Sequence, residues 1–289
     1  MNRKHELKSF LTFGLIPLLA FICVLLIPFL NGLVLTFTDW NGFEMNEFIG
    51  LDNYIEAFKD ESFWHTMGFT FKYVFFTVVT TNIVAFGLAL LVSSQIKGRN
   101  FLRSTFFLPN LIGGVILGFI WQFIFARLLT YVGSSLEIEF IKYSWLVDPD
   151  KAFWAMILVS VWQMSGYMMI IYITGLTSIP NDVLEASSID GATKMRQLFS
   201  IKIPLMIQSF TISIFLTIKN SFMVYDVNLA LTKGGPYRAT ELVTMHIYNE
   251  SFQYHNYGTG QAKAVILFLI VMAISLTQVF LTKRLEVES

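Results

Sequence analysis

Six long apolar runs separated by short polar intervals make up most of the chain: residues 10–37, 68–93, 106–125, 152–175, 203–225 and 262–282. A hydrocarbon core about 30 Å thick needs roughly 20 helical residues to cross it. Each run reaches that length, and only helices or closed barrels satisfy their backbone groups in lipid, so the pattern predicts an all-α integral membrane protein with six transmembrane helices. The first run follows Arg3, Lys4 and Lys8, as a secretory leader would. It is too long for a leader, and no small-x-small cleavage site closes it.

Between the fourth and fifth runs lies a long polar insert with its own structural signals. Pro180-Asn181-Asp182 carries helix-start chemistry, because Asn or Asp can cap free backbone N–H groups and acids favour a first turn. Val183, Leu184, Ser187 and Ser188 recur at helical spacing, with Asp182 and Glu185 on the polar side, so a short helix is expected. Gly191 permits a sharp turn. Ala192, Met195, Leu198 and Phe199 form a second amphipathic piece before Pro204, which is expected in the first turn of the next span.

Charge then sets the orientation. Lys and Arg number eleven in 1–9, 95–105, 176–202 and 283–289, against six in 38–67, 126–151 and 226–261. The positive-inside rule therefore puts the N-terminal segment 1–9 and the tail 283–289 in the cytoplasm, flanking a membrane domain over 10–282. The same parity makes the insert at 178–202 cytoplasmic. Asp39, Glu44, Glu47, Asp52, Glu56, Asp60 and Glu61 all fall in the first outer loop.

Composition narrows the chemistry. Charged residues make up 14% and apolar residues 55%, whereas soluble domains carry about a quarter charged residues. Zero net charge gives no support for nucleic-acid binding. The single cysteine, Cys23, excludes an intrachain disulfide and is expected to pack in its apolar run. His5, His65, His246 and His255 lack metal-site spacing, and no Walker A loop or nucleophile elbow occurs, so the chain is not expected to be an enzyme or to bind a metal.

Several polar residues fall inside or beside the runs. Lys219 lies in the outer part of the fifth run with Asp226 seven residues on, and reads either as a path residue or as a lysine reaching the interface. Trp162-Gln163 and Asn220-Ser221 join flat apolar faces to hydrogen-bonding groups, which suits a sugar or, alternatively, helix–helix hydrogen bonding. Trp121-Gln122 offers the same chemistry at an interfacial position. Gly113, Gly114 and Gly118 read as a close-packing face.

At Glu185-Ala186-Ser187, Asp190-Gly191-Ala192 and Ile203-Pro204 the insert resembles the ATPase-docking loop of permease subunits of ATP-binding-cassette importers; Ser187 stands where the pattern has a second alanine. The likeness extends over residues 35–282. Phe37-Thr38-Asp39-Trp40, Phe48 to Tyr54, Gly98-Arg99 through Leu108-Pro109, and Leu231 to Pro236 are similar in order and spacing to sugar-importer permeases of the maltose and oligosaccharide type.

This resemblance implies the transmembrane domain of a type I importer. Glu185, Ala186, Ser187, Asp190, Gly191 and Pro204 would form the element gripped by a separate ATPase. ATP would be used by that partner, present in two copies, and no cofactor would be bound by this chain. A second homologous permease subunit, as a heterodimer, and an extracytoplasmic sugar-binding protein would complete the assembly in the bilayer. The family's sugar-lining positions would fall on Ser160, Gln163, Met164, Tyr167, Thr217, Asn220, Ser221 and Val224, with Lys219 beside them. The larger members' extra outer domain has no counterpart here, so docking falls to the outer loops, with Asp39, Trp40 and Gly234-Gly235-Pro236 as candidates. The competing reading is an ion-driven secondary transporter, which would call for interrupted helices and carboxylates within spans.

Overall fold

The computed structural model describes residues 10–44, 47–94 and 97–285, and among these the regular structure is helical apart from one isolated antiparallel bridge between Thr38 and Phe48. The N-terminal segment 1–9 and residues 286–289 of the tail, both assigned to the cytoplasm above, lie outside the described residues. In chain order the helices are α1 (Phe10–Leu35), α2 (Asp52–Lys59), α3 (Glu61–Ser93), α4 (Arg99–Phe107), α5 (Gly114–Ser135), α6 (Glu139–Lys142), α7 (Pro149–Ser178) and α8 (Asn181–Ile189). They continue as α9 (Lys194–Leu205), α10 (Ile207–Phe222), α11 (Asp226–Leu231), α12 (Val243–Tyr248) and α13 (Tyr257–Lys283). Among the described residues α1, α3, α5, α7 and α13 are each long and apolar enough to span a membrane; α9 and α10 make a sixth span if their 70° bend is counted as one crossing.

The helices of the first and fifth spans stop at Leu35 and Phe222, a few residues short of their apolar runs, and two further differences lie beside prolines. The third span starts at Gly114 rather than at residue 106, because Pro109 ends the preceding helix in a single tight turn, Leu108–Leu111, and Ile112 and Gly113 are extended. A proline ring and its missing N–H do not propagate a helix, so the apolar run is cut in two. In the fifth span, Pro204 sits before the bend and not in the first turn after it: the helix breaks at Met206 and resumes at Ile207. Elsewhere helices overrun their apolar stretches because polar caps extend them. Asp148 accepts from the N–H groups of Asp150 and Lys151 at 3.0 and 3.1 Å, with Pro149 opening α7, and Asp60 accepts from Ser62 N–H at 2.8 Å at the start of α3.

The chain divides into two compact units, Met1–Trp64 with Ile247–Phe268, and His65–His246 with Leu269–Ser289. In the first, buried Asn53 donates to the carbonyls of Thr36 and Thr38, both at 2.9 Å, and accepts from Thr259, so α2 is tied to the chain leaving α1 and to the start of α13. Lys263, 1% exposed, is neutralised by Asp60 at 2.6 Å and Glu250 at 2.9 Å. A buried ammonium needs such partners, since desolvating it unpaired costs several kcal/mol or more. Cys23, expected to pack, is exposed on α1.

The second unit is organised around α7, whose apolar window is 67% buried. Its core joins Ala85, Ala89 and Val92 to Met168, Met169 and Tyr172, with Ile179 and Met206 closing the end nearest α8. At Gly166 the α7 backbone lies directly against the carbonyl of Phe106, and a Cβ would overlap that oxygen. Gly87, on α3, has open space around its Cβ position.

Gly166→Ala is therefore expected to destabilise the purified protein by about 1–3 kcal/mol, the usual penalty for overpacking. Gly87→Ala should be neutral or slightly stabilising, and thermal unfolding of both variants in detergent checks the contrast.

Candidate functional site

A polar cavity of about 360 Å³ lies in the second unit where α5, α7, α10 and α11 meet. Of the nine path candidates, the structure brings Ser160, Gln163, Met164, Asn220 and Val224 to its wall. Asn110 and Asp226 also line it. Asn110 belongs to the turn that interrupts the third apolar run; the signal was a polar residue next to a proline within a span, since exposed backbone is tolerated at that depth only where it is covered or lines a cavity.

Each wall residue is held by packing that the sequence encodes. Ser160 pairs with the Tyr73 hydroxyl at 2.6 Å, and Gln163 donates to the Ile112 carbonyl at 3.3 Å. The Ile112 carbonyl is free to accept because Pro109 and Gly113 have broken the helix there. Gly114 and Gly118, four residues apart, face Asp226 and Ala230 so closely that a Cβ at either glycine would collide. Gly114 and Gly118 form the expected close-packing face, whereas Gly113 has open space at its Cβ position, and the face seats the short helix α11 with Asp226 at the cavity.

Four candidates lie elsewhere. Thr217, fully buried, donates to the Ser213 carbonyl at 2.7 Å and faces Asn82, which accepts from the Tyr172 hydroxyl at 2.7 Å and from Ser213 Oγ at 2.6 Å. That cluster joins α3, α7 and α10, so Thr217 takes the helix–helix role for which the same residue types are suited. Ser221 is also fully buried, and its Oγ has no hydrogen-bond partner among the described residues. Tyr167 is 38% exposed and packs its ring 6.4 Å from Phe107. Lys219 is exposed away from the cavity wall, and among the described residues it makes no ion pair with Asp226. These four do not line the cavity. Trp121 stacks on Phe125 and meets Trp162 edge to face at 5.5 Å, also off the cavity wall.

The second element is the knuckle formed by α8, Gly191 and α9. Pro180, not Asn181 or Asp182, occupies the N-cap position, and it supplies no side-chain oxygen; Asp182 lies in the first turn. At the other end the cap is complete. Gly191 adopts φ +78°, the Ala192 N–H reaches the Ser187 carbonyl at 2.9 Å and the Gly191 N–H reaches that of Ser188 at 3.1 Å. This paired closure needs a left-handed residue that glycine takes without Cβ strain. Thr193 then caps α9 by accepting from the Arg196 N–H at 3.3 Å.

Gln197, which the sequence reading passed over, fastens the two helices. Its Nε2 donates to Ser187 Oγ and Ser188 Oγ, both at 2.9 Å, and lies 3.3 Å from the Leu184 carbonyl. Ser187 therefore adds a half-buried hydrogen-bonding contact. Glu185, Ala186 and Asp190 stay exposed, as do Val183 at 39% and Ile189 at 86%. Leu184 packs on the core around Tyr172 and Met206. Pro204 is half-buried just before the bend.

The loop after α11 is closed by side-chain hydrogen bonds. Buried Asn228 donates to the Thr240 carbonyl at 2.8 Å and accepts from the Leu242 N–H at 3.1 Å, which closes the loop around Gly234-Gly235-Pro236. Glu241 is buried beneath Arg238 and His246, and Tyr237 at the tip is 98% exposed. Asp39 and Trp40 are engaged within their own unit: Asp39 accepts from the Glu47 N–H at 2.9 Å, and the Trp40 ring lies 5.2 Å from Tyr257.

With this geometry in place, comparison with known proteins is specific. The family model for the binding-protein-dependent transport system inner membrane component matches residues 81–287. The chain is 45% identical to a probable starch degradation products transport system permease protein of Thermoanaerobacterium thermosulfurigenes, over 94% of this chain and 92% of that one. It is 32% identical to a multiple sugar-binding transport system permease protein of Streptococcus mutans, over 96% of each. Among solved structures, a chain of a bacterial ABC transporter involved in import of the acidic polysaccharide alginate superposes with a TM-score of 0.82 at 18% identity, covering 97% of this chain and 98% of that one. The fold is accordingly that of ABC-importer transmembrane domains.

Removing the Gln197 amide costs the knuckle its internal tie, worth about 1–1.5 kcal/mol at ordinary hydrogen-bond strength. Gln197→Ala should therefore speed amide hydrogen exchange across residues 181–191 roughly tenfold with little change elsewhere in the chain.

Proposed function

The chain belongs to the binding-protein-dependent transport system inner membrane components, and on that premise we infer that it is a permease subunit of an ATP-driven sugar importer with an oligosaccharide cargo. The observation that carries this reading is the knuckle: a short helix with exposed Glu185, Ala186 and Val183, closed at its end by Gly191 and bolted to α9 by Gln197. A rigid element can transmit displacement; a floppy loop would absorb it. Its far side, through Leu184, rests on the same core that holds α3, α7 and the bend at Met206, so movement of α8 is passed to three spans.

The partners follow from what this chain lacks. A separate ATPase grips α8, with Glu185 pairing to a basic residue and Val183 and Ala186 packing in its cleft. Two ATPase copies serve two permeases, this chain and a homologous second subunit, which together enclose the path. ATP closes the ATPase dimer and opens the path outward; hydrolysis resets it. The assembly sits in the cell membrane with both termini of this chain cytoplasmic, and an extracytoplasmic binding protein delivers the cargo to the outer loops, where the Gly234-Gly235-Pro236 loop presents Tyr237.

The sugar reading is supported by the cavity and by the relatives' names. Serine, glutamine and asparagine side chains on its wall exchange hydrogen bonds with hydroxyls that have left water. The ion-driven alternative is tested by energetics. In reconstituted vesicles holding the whole assembly, oligosaccharide uptake should require ATP and persist when ion gradients are collapsed; uptake that follows a proton gradient without ATP rejects the importer reading.

Glu185→Lys places a like charge against the ATPase's basic residue. Transport should fall by at least about tenfold, the scale of losing one charge-assisted contact, while the purified chain keeps its thermal stability because Glu185 is exposed. Normal uptake by this variant would remove Glu185 from the coupling contact.

A further inference from the structure

A second polar cavity, of about 400 Å³, lies at the end of the second unit beside the knuckle, and the transport reading leaves it unused. Its floor is apolar, from Leu90 on α3, Leu176 on α7 and Leu184 on α8. Its polar wall carries Ser93, Asn181 and Lys202, together with Ser94 and Thr177, and among the described residues no carboxylate.

The state of these groups decides what the cavity suits. Ser94 and Thr177 spend their hydroxyl protons on carbonyls of their own helices, at 2.5 Å to Leu91 and 3.0 Å to Ile173. Ser93 does not: its Oγ is buried without a hydrogen-bond partner among the described residues. Lys202 is half-buried and makes no ion pair among the described residues. Asn181 opens α8 behind Pro180, which offers no capping oxygen, so first-turn N–H groups at this end lack a side-chain acceptor. An ammonium, a free hydroxyl and an amide, without an acid to neutralise them, are complementary to an anion that has several acceptor oxygens.

We propose that this cavity binds a phosphate group, carried by the headgroup of an anionic phospholipid or as free phosphate. The leucine floor sits where α3 and α7 end, at a boundary between apolar span and polar loop, which is where lysines meet anionic headgroups. A phosphate held between Lys202 on α9 and Asn181 on α8 bridges the two arms of the knuckle. Its occupancy would stiffen the same element that Gln197 fastens, and so tie coupling to membrane composition.

The test uses the whole assembly with its ATPase, in vesicles of phosphatidylcholine alone or of phosphatidylcholine mixed with phosphatidylglycerol, and reads modification of Lys202 by an amine-reactive reagent through peptide mass spectrometry. Phosphatidylglycerol should slow labelling of Lys202 severalfold relative to the exposed Lys194, and Ser93→Ala should relieve that protection. Protection by inorganic phosphate in pure phosphatidylcholine vesicles identifies the free ion as the source, and protection by phosphatidylglycerol alone identifies the lipid. The proposal is overturned if neither addition alters the Lys202 to Lys194 ratio, or if Lys202 is protected equally in all vesicles and exposed only when the ATPase is stripped away, which would make the cavity part of the ATPase contact.

Discussion

In a hydrocarbon environment every backbone N–H and C=O must find a partner inside the protein. The rest of this structure depends on how the chain meets that constraint where it departs from helix. Among the described residues it leaves the α-helix inside apolar sequence at Leu108 to Gly113 and at Met206, and also at the run ends Thr36-Phe37 and Met223 to Tyr225. Each interior interruption packs one residue into the protein: Pro109 is buried and Met206 is 1% exposed, while Leu111 stays exposed. At the first, the freed Ile112 carbonyl is taken by Gln163, and the interruption becomes part of the cavity wall. At the second, the bend sets α9 against α8 and leaves Met206 in the core that also receives Leu184.

The cavity and the knuckle are therefore joined by one packed body. α7 carries Ser160 and Gln163 on the cavity and, farther along, Met168, Met169 and Tyr172 in the core on which Leu184 rests. Well-packed interiors transmit displacement because they resist compression. Asn82, bridging Tyr172 and Ser213, adds polar connections between spans at a depth where water is scarce. The same residue types that suit sugar recognition thus divide into two populations, one on the cavity and one between helices, and only position separates them.

Ser187 and Gln197 form a hydrogen-bonded pair, so the knuckle is fastened by polar contacts as well as by packing. The buried ammonium of Lys263, held by Asp60 and Glu250, plays a similar fastening part in the other unit.

The sequence by itself determined the all-helical membrane fold, the place of the knuckle and its turn at Gly191, and the glycine face at Gly114 and Gly118, because apolar run length, left-handed backbone and the absence of a Cβ are local properties. The resemblance named nine path positions, and Ser160, Gln163, Met164, Asn220 and Val224 among them share one cavity wall, as helical spacing allows for neighbours on α7 and for those on α10 and the chain leaving it. Tertiary structure decided what spacing does not contain. Thr217 and Ser221 turn into buried contacts, Leu184 turns to its own core, Asn110 and Asp226 join the cavity, and Gln197 finds partners ten and nine residues away, since which way each helix faces is set by what packs against it.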